Sequence, residues 1–101
     1  MLEQSQIDDF QRNGAVLLKG VFADFVETAR EAIEENMQNP SWRERTYRPD
    51  DGGQAFFQDY VVWDQFDGYR RLVRDSAMPE LAAKLKQSKT ARVFHDHILV
   101  K

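Results

Sequence analysis

His95 and His97 are the only two histidines in the chain, and they stand two residues apart in the apolar run Ala91–Lys101. In a strand they share one face with Val93 and Leu99, their Cα atoms roughly 6.5–7 Å apart. Two imidazoles at that spacing can reach one divalent ion. Two ligands are too few for a stable site. The chain has no cysteine, so a third strong donor would have to be Asp or Glu, and none sits at a telling spacing. The pattern His-x-Asp, the usual start of a 2-His-1-carboxylate iron site, occurs nowhere. Asp96 lies between the histidines and points to the opposite face of the strand. Three roles therefore stay open for the pair: hydrogen-bonded histidines in a barrel or pocket wall, metal ligands, or contacts to a substrate or cosubstrate.

Other polar groupings are plainer. Asp8-Asp9 and Glu34-Glu35 are neighbours on helical segments, so each pair splits across two faces and is solvated. Arg43-Glu-Arg45 and Arg70-Arg71 can meet a carboxylate or phosphate but read more simply as surface charge. Phe56, Phe57, Tyr60, Trp63 and Phe66 form an aromatic group of the kind that builds a core. No phosphate loop, nucleophile elbow or Walker-type glycine pattern is present. Without cysteine there is no disulfide, zinc finger, iron–sulfur site or thiol catalysis. The net charge of −3, with both signs interspersed, argues against nucleic acid and anionic membranes as partners. No basic region or apolar run follows Met1-Leu-Glu-Gln-Ser5, and no transmembrane helix can be drawn, so a soluble cytoplasmic protein is expected.

The elements that must position these residues are of mixed type, and 101 residues bound them to a single domain. A first helix is predicted over about 5–12, capped by Ser5 with Asp8 answering it, and stopped by Asn13-Gly14. Ala15–Lys19 reads as a short strand. A second helix spans about 24–38, capped by Asp24, with Val26, Ala29, Ile33 and Met37 on its apolar face. Residues 39–53 carry turn signals without a period and read as a long loop. A strand follows over about 55–63, then helices over 68–76, with Pro79 opening another over 79–87, and a final strand over 91–101. Apolar residues on both faces of that last strand predict burial on both sides.

The order of these elements and their local residues resemble the phytanoyl-CoA dioxygenase family. The resemblance is carried by Leu2-x4-Ile7-x2-Phe10-x3-Gly14-Ala-Val-Leu-Leu-Lys-Gly-Val-Phe22 with the amphipathic helix after it. It is carried again by Met78-Pro79-Glu80-Leu81 and by Val93-Phe-His-Asp-His-Ile-Leu-Val-Lys101. It implies an α+β fold: the N-terminal helices and first strands of a double-stranded β-helix, or jelly roll, with the barrel incomplete. It also implies a non-haem iron(II) oxygenase that couples oxidative decarboxylation of 2-oxoglutarate to hydroxylation of a small molecule. By its place, His97 resembles a residue lining the 2-oxoglutarate pocket. Gln58 and Tyr60 are expected on the same pocket wall, and His95 is expected to face substrate.

The family's His-x-Asp, distal His and 2-oxoglutarate-anchoring Arg have no matching positions here, and His95-Asp-His97 corresponds to the strand before the iron motif. The chain stops inside a strand-like run with no closing element, so it is expected to be the N-terminal portion of such an enzyme. By itself it is expected to be inactive and to hold neither iron(II) nor 2-oxoglutarate tightly. Two other readings differ in class. One is a stand-alone binding or assembly module that forms a homo-oligomer through unpaired strand edges. The other is a cupin-like metal protein using His95 and His97 directly, which lacks the glycine before and the glutamate after that cupins place around His-x-His.

Overall fold

A computed structural model of the chain describes residues 2–101. Four helices and two strands follow one another as α1 (Gln4–Asn13), α2 (Val26–Gln38), β1 (Phe57–Tyr60), α3 (Asp67–Asp75), α4 (Met78–Leu85) and β2 (His97–Val100). The fold is mixed α and β, with the helices dominant. The long segment between α2 and β1 is irregular except for an antiparallel bridge, Tyr47 to Phe56.

The helix starts differ from the sequence expectation. Glu3 rather than Ser5 caps α1, and Gln6 Oε1 accepts the Glu3 N–H at 2.8 Å, which satisfies a donor left over at the helix start. Gly14 ends α1 as expected, at φ +76°, with its N–H on the Phe10 carbonyl at 2.8 Å. Before α2, the segment Ala23–Phe25 forms a single 3-10 turn, so Asp24 falls inside that turn and Phe25 takes the cap position. The stretch Ala15–Lys19 pairs with no strand among the described residues. Its side chains do alternate, with Val16 and Leu18 half-buried and Leu17 75 % exposed. A period of two is therefore present, but a ladder also needs a neighbouring strand to bond with.

The buried face of α2 is also shifted. Val26 and Met37 are exposed, while Ala32 and Asn36 are the residues buried. The cause is α3, whose Gly68 lies directly against α2. A Cβ on Gly68 would stand 2.7 Å from Ala32 Cβ and 2.7 Å from the Thr28 carbonyl oxygen. Only small residues allow so close an approach, so Thr28, Ala32 and Asn36 become the contact row and the larger side chains flank it. Replacing Gly68 with Ala should lower stability by about 2 kcal/mol, because overpacking outweighs the gain in helix propensity. A urea midpoint equal to or above that of the parent protein would show that the two helices do not meet there.

β1 and β2 pair antiparallel in the register Phe57–Val100, Gln58–Leu99, Asp59–Ile98 and Tyr60–His97. Alternation then divides the sheet. Phe57 and Asp59 face inward and are buried, with Ile98 and Val100 half-buried beside them. Ala32, Val62, Phe66 and Tyr69 form the core cluster, with Ile33, Trp63 and Ile98 packed against it. Gln58, Tyr60, His97 and Leu99 share the other face. Burial of β2 on both sides is therefore corrected, since Leu99 is 54 % exposed. Both strands are also shorter than predicted, and residues 91–96 belong to no ladder. The radius of gyration, 15.9 Å, exceeds the ~13 Å of a compact domain of this length, in keeping with a thin core and an uncovered sheet. No helix is long and apolar enough to cross a membrane among the described residues.

Candidate functional site

The open face of the sheet collects the residues singled out from sequence. β1 presents Gln58 and Tyr60, β2 presents His97, and His95 follows on the same side just before β2. The His97 and Tyr60 rings stack at 4.1 Å between centroids, and His95 lies 6.3 Å from Tyr60 in a similar plane. Gln58 Oε1 is the point where they converge. The Tyr60 hydroxyl donates to it at 3.3 Å, and His97 Nε2 lies 3.2 Å from it. Gln58 Nε2 is turned away and donates to the Arg45 carbonyl at 3.2 Å. The face thus offers a hydroxyl and an imidazole aimed at one acceptor oxygen beside an apolar neighbour, Leu99. Such a pair suits a carboxylate or carbonyl oxygen of a small molecule.

Two carboxylates beneath this face hold it in place, and sequence reasoning missed the role of both. Asp59 is fully buried. Its Oδ2 accepts the Asn36 Nδ2–H at 2.9 Å and the Ser41 N–H at 2.8 Å. Its Oδ1 accepts the Ser41 hydroxyl at 2.5 Å and the Tyr60 N–H at 2.8 Å. Asn36 Oδ1 in turn accepts the Tyr69 hydroxyl at 3.1 Å. Loss of solvation pushes the Asp59 carboxyl upward, but the bonds from Ser41, Asn36 and Tyr60 outweigh it and hold the group below the usual carboxylate range. Burial, with the Asp96 and Asp59 charges adding to it, pushes the Tyr69 phenol above its ordinary value, so the phenol stays a donor. Strand parity was the signal available for Asp59: if Gln58 and Tyr60 face outward, Phe57 and Asp59 must both face inward.

Asp96 does point away from the histidines, and it is a bracket. Its carbonyl accepts the Val61 N–H at 3.2 Å, its Oδ1 the Val62 N–H at 3.1 Å and its Oδ2 the Trp63 N–H at 3.0 Å. Three successive N–H groups are gathered onto one residue, an anion in a backbone nest. Val61 sits at φ +53°, a conformation that β-branched residues rarely adopt. The bracket holds that turn directly after Tyr60 and directly before His97.

The residues present do not fit the iron site that the resemblance implies. Among the described residues no three His, Asp or Glu side chains gather around a point where a metal ion could sit. Asp96, the acid closest in sequence to the histidines, is committed to the bracket. The groups on the open face do fit an oxygen-bearing ligand, because Tyr60 and His97 already share an acceptor there. No protein-family model, curated protein or solved structure matches the chain.

Proposed function

We propose that this chain is the N-terminal portion of an iron(II)/2-oxoglutarate-dependent oxygenase of the phytanoyl-CoA dioxygenase kind, acting on a small molecule. In this reading the open face of β1 and β2 is part of its cosubstrate wall, and the jelly roll is completed by further strands over that face. The observation that carries the reading is the convergence of Tyr60 and His97 on Gln58 Oε1. That oxygen marks where a ligand carboxylate oxygen would be received, with the amide swinging aside and the hydroxyl and imidazole donating to the newcomer. The His97–Tyr60 stack fixes both rings for this before any ligand arrives. His95 borders the same face and is the residue assigned to substrate.

Bound 2-oxoglutarate supplies, by oxidative decarboxylation to succinate, the electrons for hydroxylation in that family. The residues of this chain bind and orient it, and no set of metal ligands gathers among the described residues. Titrating the 101-residue chain with 2-oxoglutarate should therefore perturb the NMR signals of Gln58, Tyr60 and His97 with weak, millimolar-range affinity. His97→Ala should weaken binding about tenfold, the worth of one charge-assisted hydrogen bond. With iron(II) and O₂ added, no succinate should form. Perturbations confined to another surface, or turnover by the pure chain, would overturn the reading.

A further inference from the structure

Residues 91–96 line a groove of about 580 Å³ together with Trp63, α3 and α4. Its lining is mostly apolar, including Trp63, Val73, Met78, Ala82, Val93 and Phe94. Phe94 is 97 % exposed, an apolar ring left in solvent beside a concavity of small-molecule size. Two cations, Arg74 and Arg92, also border it.

Arg12, Arg30, Arg70 and Lys84 each pair with an acid three or four residues away on their own helix. Arg71, Arg74 and Arg92 have no such partner among the described residues, and Arg74 and Arg92 are the two of these that border the groove. The Arg74 guanidinium instead lies over the Trp63 ring, 5.2 Å from its centroid. Asp96, the one acid lining the groove, has both carboxylate oxygens on the Val62 and Trp63 N–H groups. The groove therefore joins an apolar floor to two guanidinium groups that no carboxylate pairs with among the described residues, on a protein whose net charge is −3.

We propose that this groove binds an organic anion with an apolar body, of the class of a medium-chain or aromatic carboxylate. The body covers Trp63, Val93 and Phe94, and the carboxylate meets the guanidinium forks of Arg74 and Arg92, whose planar donors match its geometry. The chain binds such an anion whether or not the open sheet face takes a cosubstrate, because the two surfaces use different residues apart from the flanking His95.

The test uses Trp42→Phe, which leaves Trp63 as the single tryptophan reporter. Octanoate should change Trp63 emission saturably, with Kd on the order of 1 mM. Octan-1-ol should bind about fivefold more weakly and octyltrimethylammonium more weakly still. Adding Arg74→Gln and Arg92→Gln should erase the preference for the anion over the alcohol while leaving the thermal midpoint in place. The proposal is overturned by equal binding of alcohol and carboxylate, by no response to octanoate, or by a preference that survives both replacements. It is also overturned if sedimentation shows a dimer that covers Trp63 and is not displaced by octanoate. Failure of 2-oxoglutarate to perturb Gln58, Tyr60 and His97 would count only against the cosubstrate wall.

Discussion

Replacing Asp59 with Asn should remove about 3–5 kcal/mol of stability, a large share of the ~5–15 kcal/mol of a domain this size. The substitution keeps size and shape, so the loss isolates hydrogen bonding. Each Asp59 oxygen faces two donors: Asn36 Nδ2–H and the Ser41 N–H on one, the Ser41 hydroxyl and the Tyr60 N–H on the other. An asparagine must turn its NH₂ toward one of these pairs whichever way it flips. The hydroxyl of Ser41 can rotate, but an N–H group cannot, and at least one buried donor loses its acceptor. The pH dependence gives an independent check. The folded carboxyl is held below its ordinary value, so the stability it contributes is fully present above the unfolded value of ~3.9. That contribution drains as pH falls through the folded value. The parent protein should therefore lose stability steeply below about pH 4, and Asp59→Asn should show a shallower acid limb from a lower plateau. Chemical denaturation between pH 3 and 7 measures both, and parallel limbs for the two proteins would rule out this role for Asp59.

What could be read from the sequence divides along a physical line. Helices were legible where local signals suffice: the period of α2, the Gly14 stop, and Pro79 in the first turn of α4. Parity also made legible that Gln58 shares a face with Tyr60 and His95 with His97, while placing both pairs on one wall rested on the resemblance. What failed depended on partners distant in the chain. Ala15–Lys19 has strand-like alternation but nothing to pair with. The apolar stripe of α2 pointed toward Val26 and Met37, yet the contact row was decided by Gly68 on another helix. The bonding roles of Asp59 and Asp96 were not legible because their partners, Asn36 and Ser41 for one and the Val62 and Trp63 amides for the other, lie 18 to 34 residues away. The irregular segment between α2 and β1, expected as a loop, supplies Ser41 to one network and the Arg45 carbonyl to the Gln58 amide. It is therefore tied to the open face from below, and a change within it should reach Gln58 and Tyr60.

Asp96→Ala should cost about 3 kcal/mol and should disorganise the open face as well. The Val61 N–H keeps its bond to the residue 96 carbonyl, but the Val62 and Trp63 N–H groups lose charge-assisted acceptors in a half-buried setting. Val62 is fully buried in the core, so the orphaned amide beside it has little access to water. Val61 adds to the effect: its left-handed backbone persists because the bracket over-determines it, and without the side chain the turn is free to relax toward a less strained conformation. Relaxation there moves Tyr60 on one side and, through the Tyr60–His97 pairing, the stack on the other. Asp96→Asn should cost less, since its amide oxygen can still accept one of the two N–H groups. Two measurements separate this from simple destabilisation: thermal unfolding ranks the parent above Asn and Asn above Ala, while ring-current shifts of His97 report the stack at temperatures where each variant is folded. Those shifts should collapse in Asp96→Ala and be partly kept in Asp96→Asn. If Asp96→Ala unfolds at a lower temperature but keeps the His97 shifts unchanged, the bracket stabilises the core without positioning the face, and Val61 is held by packing alone.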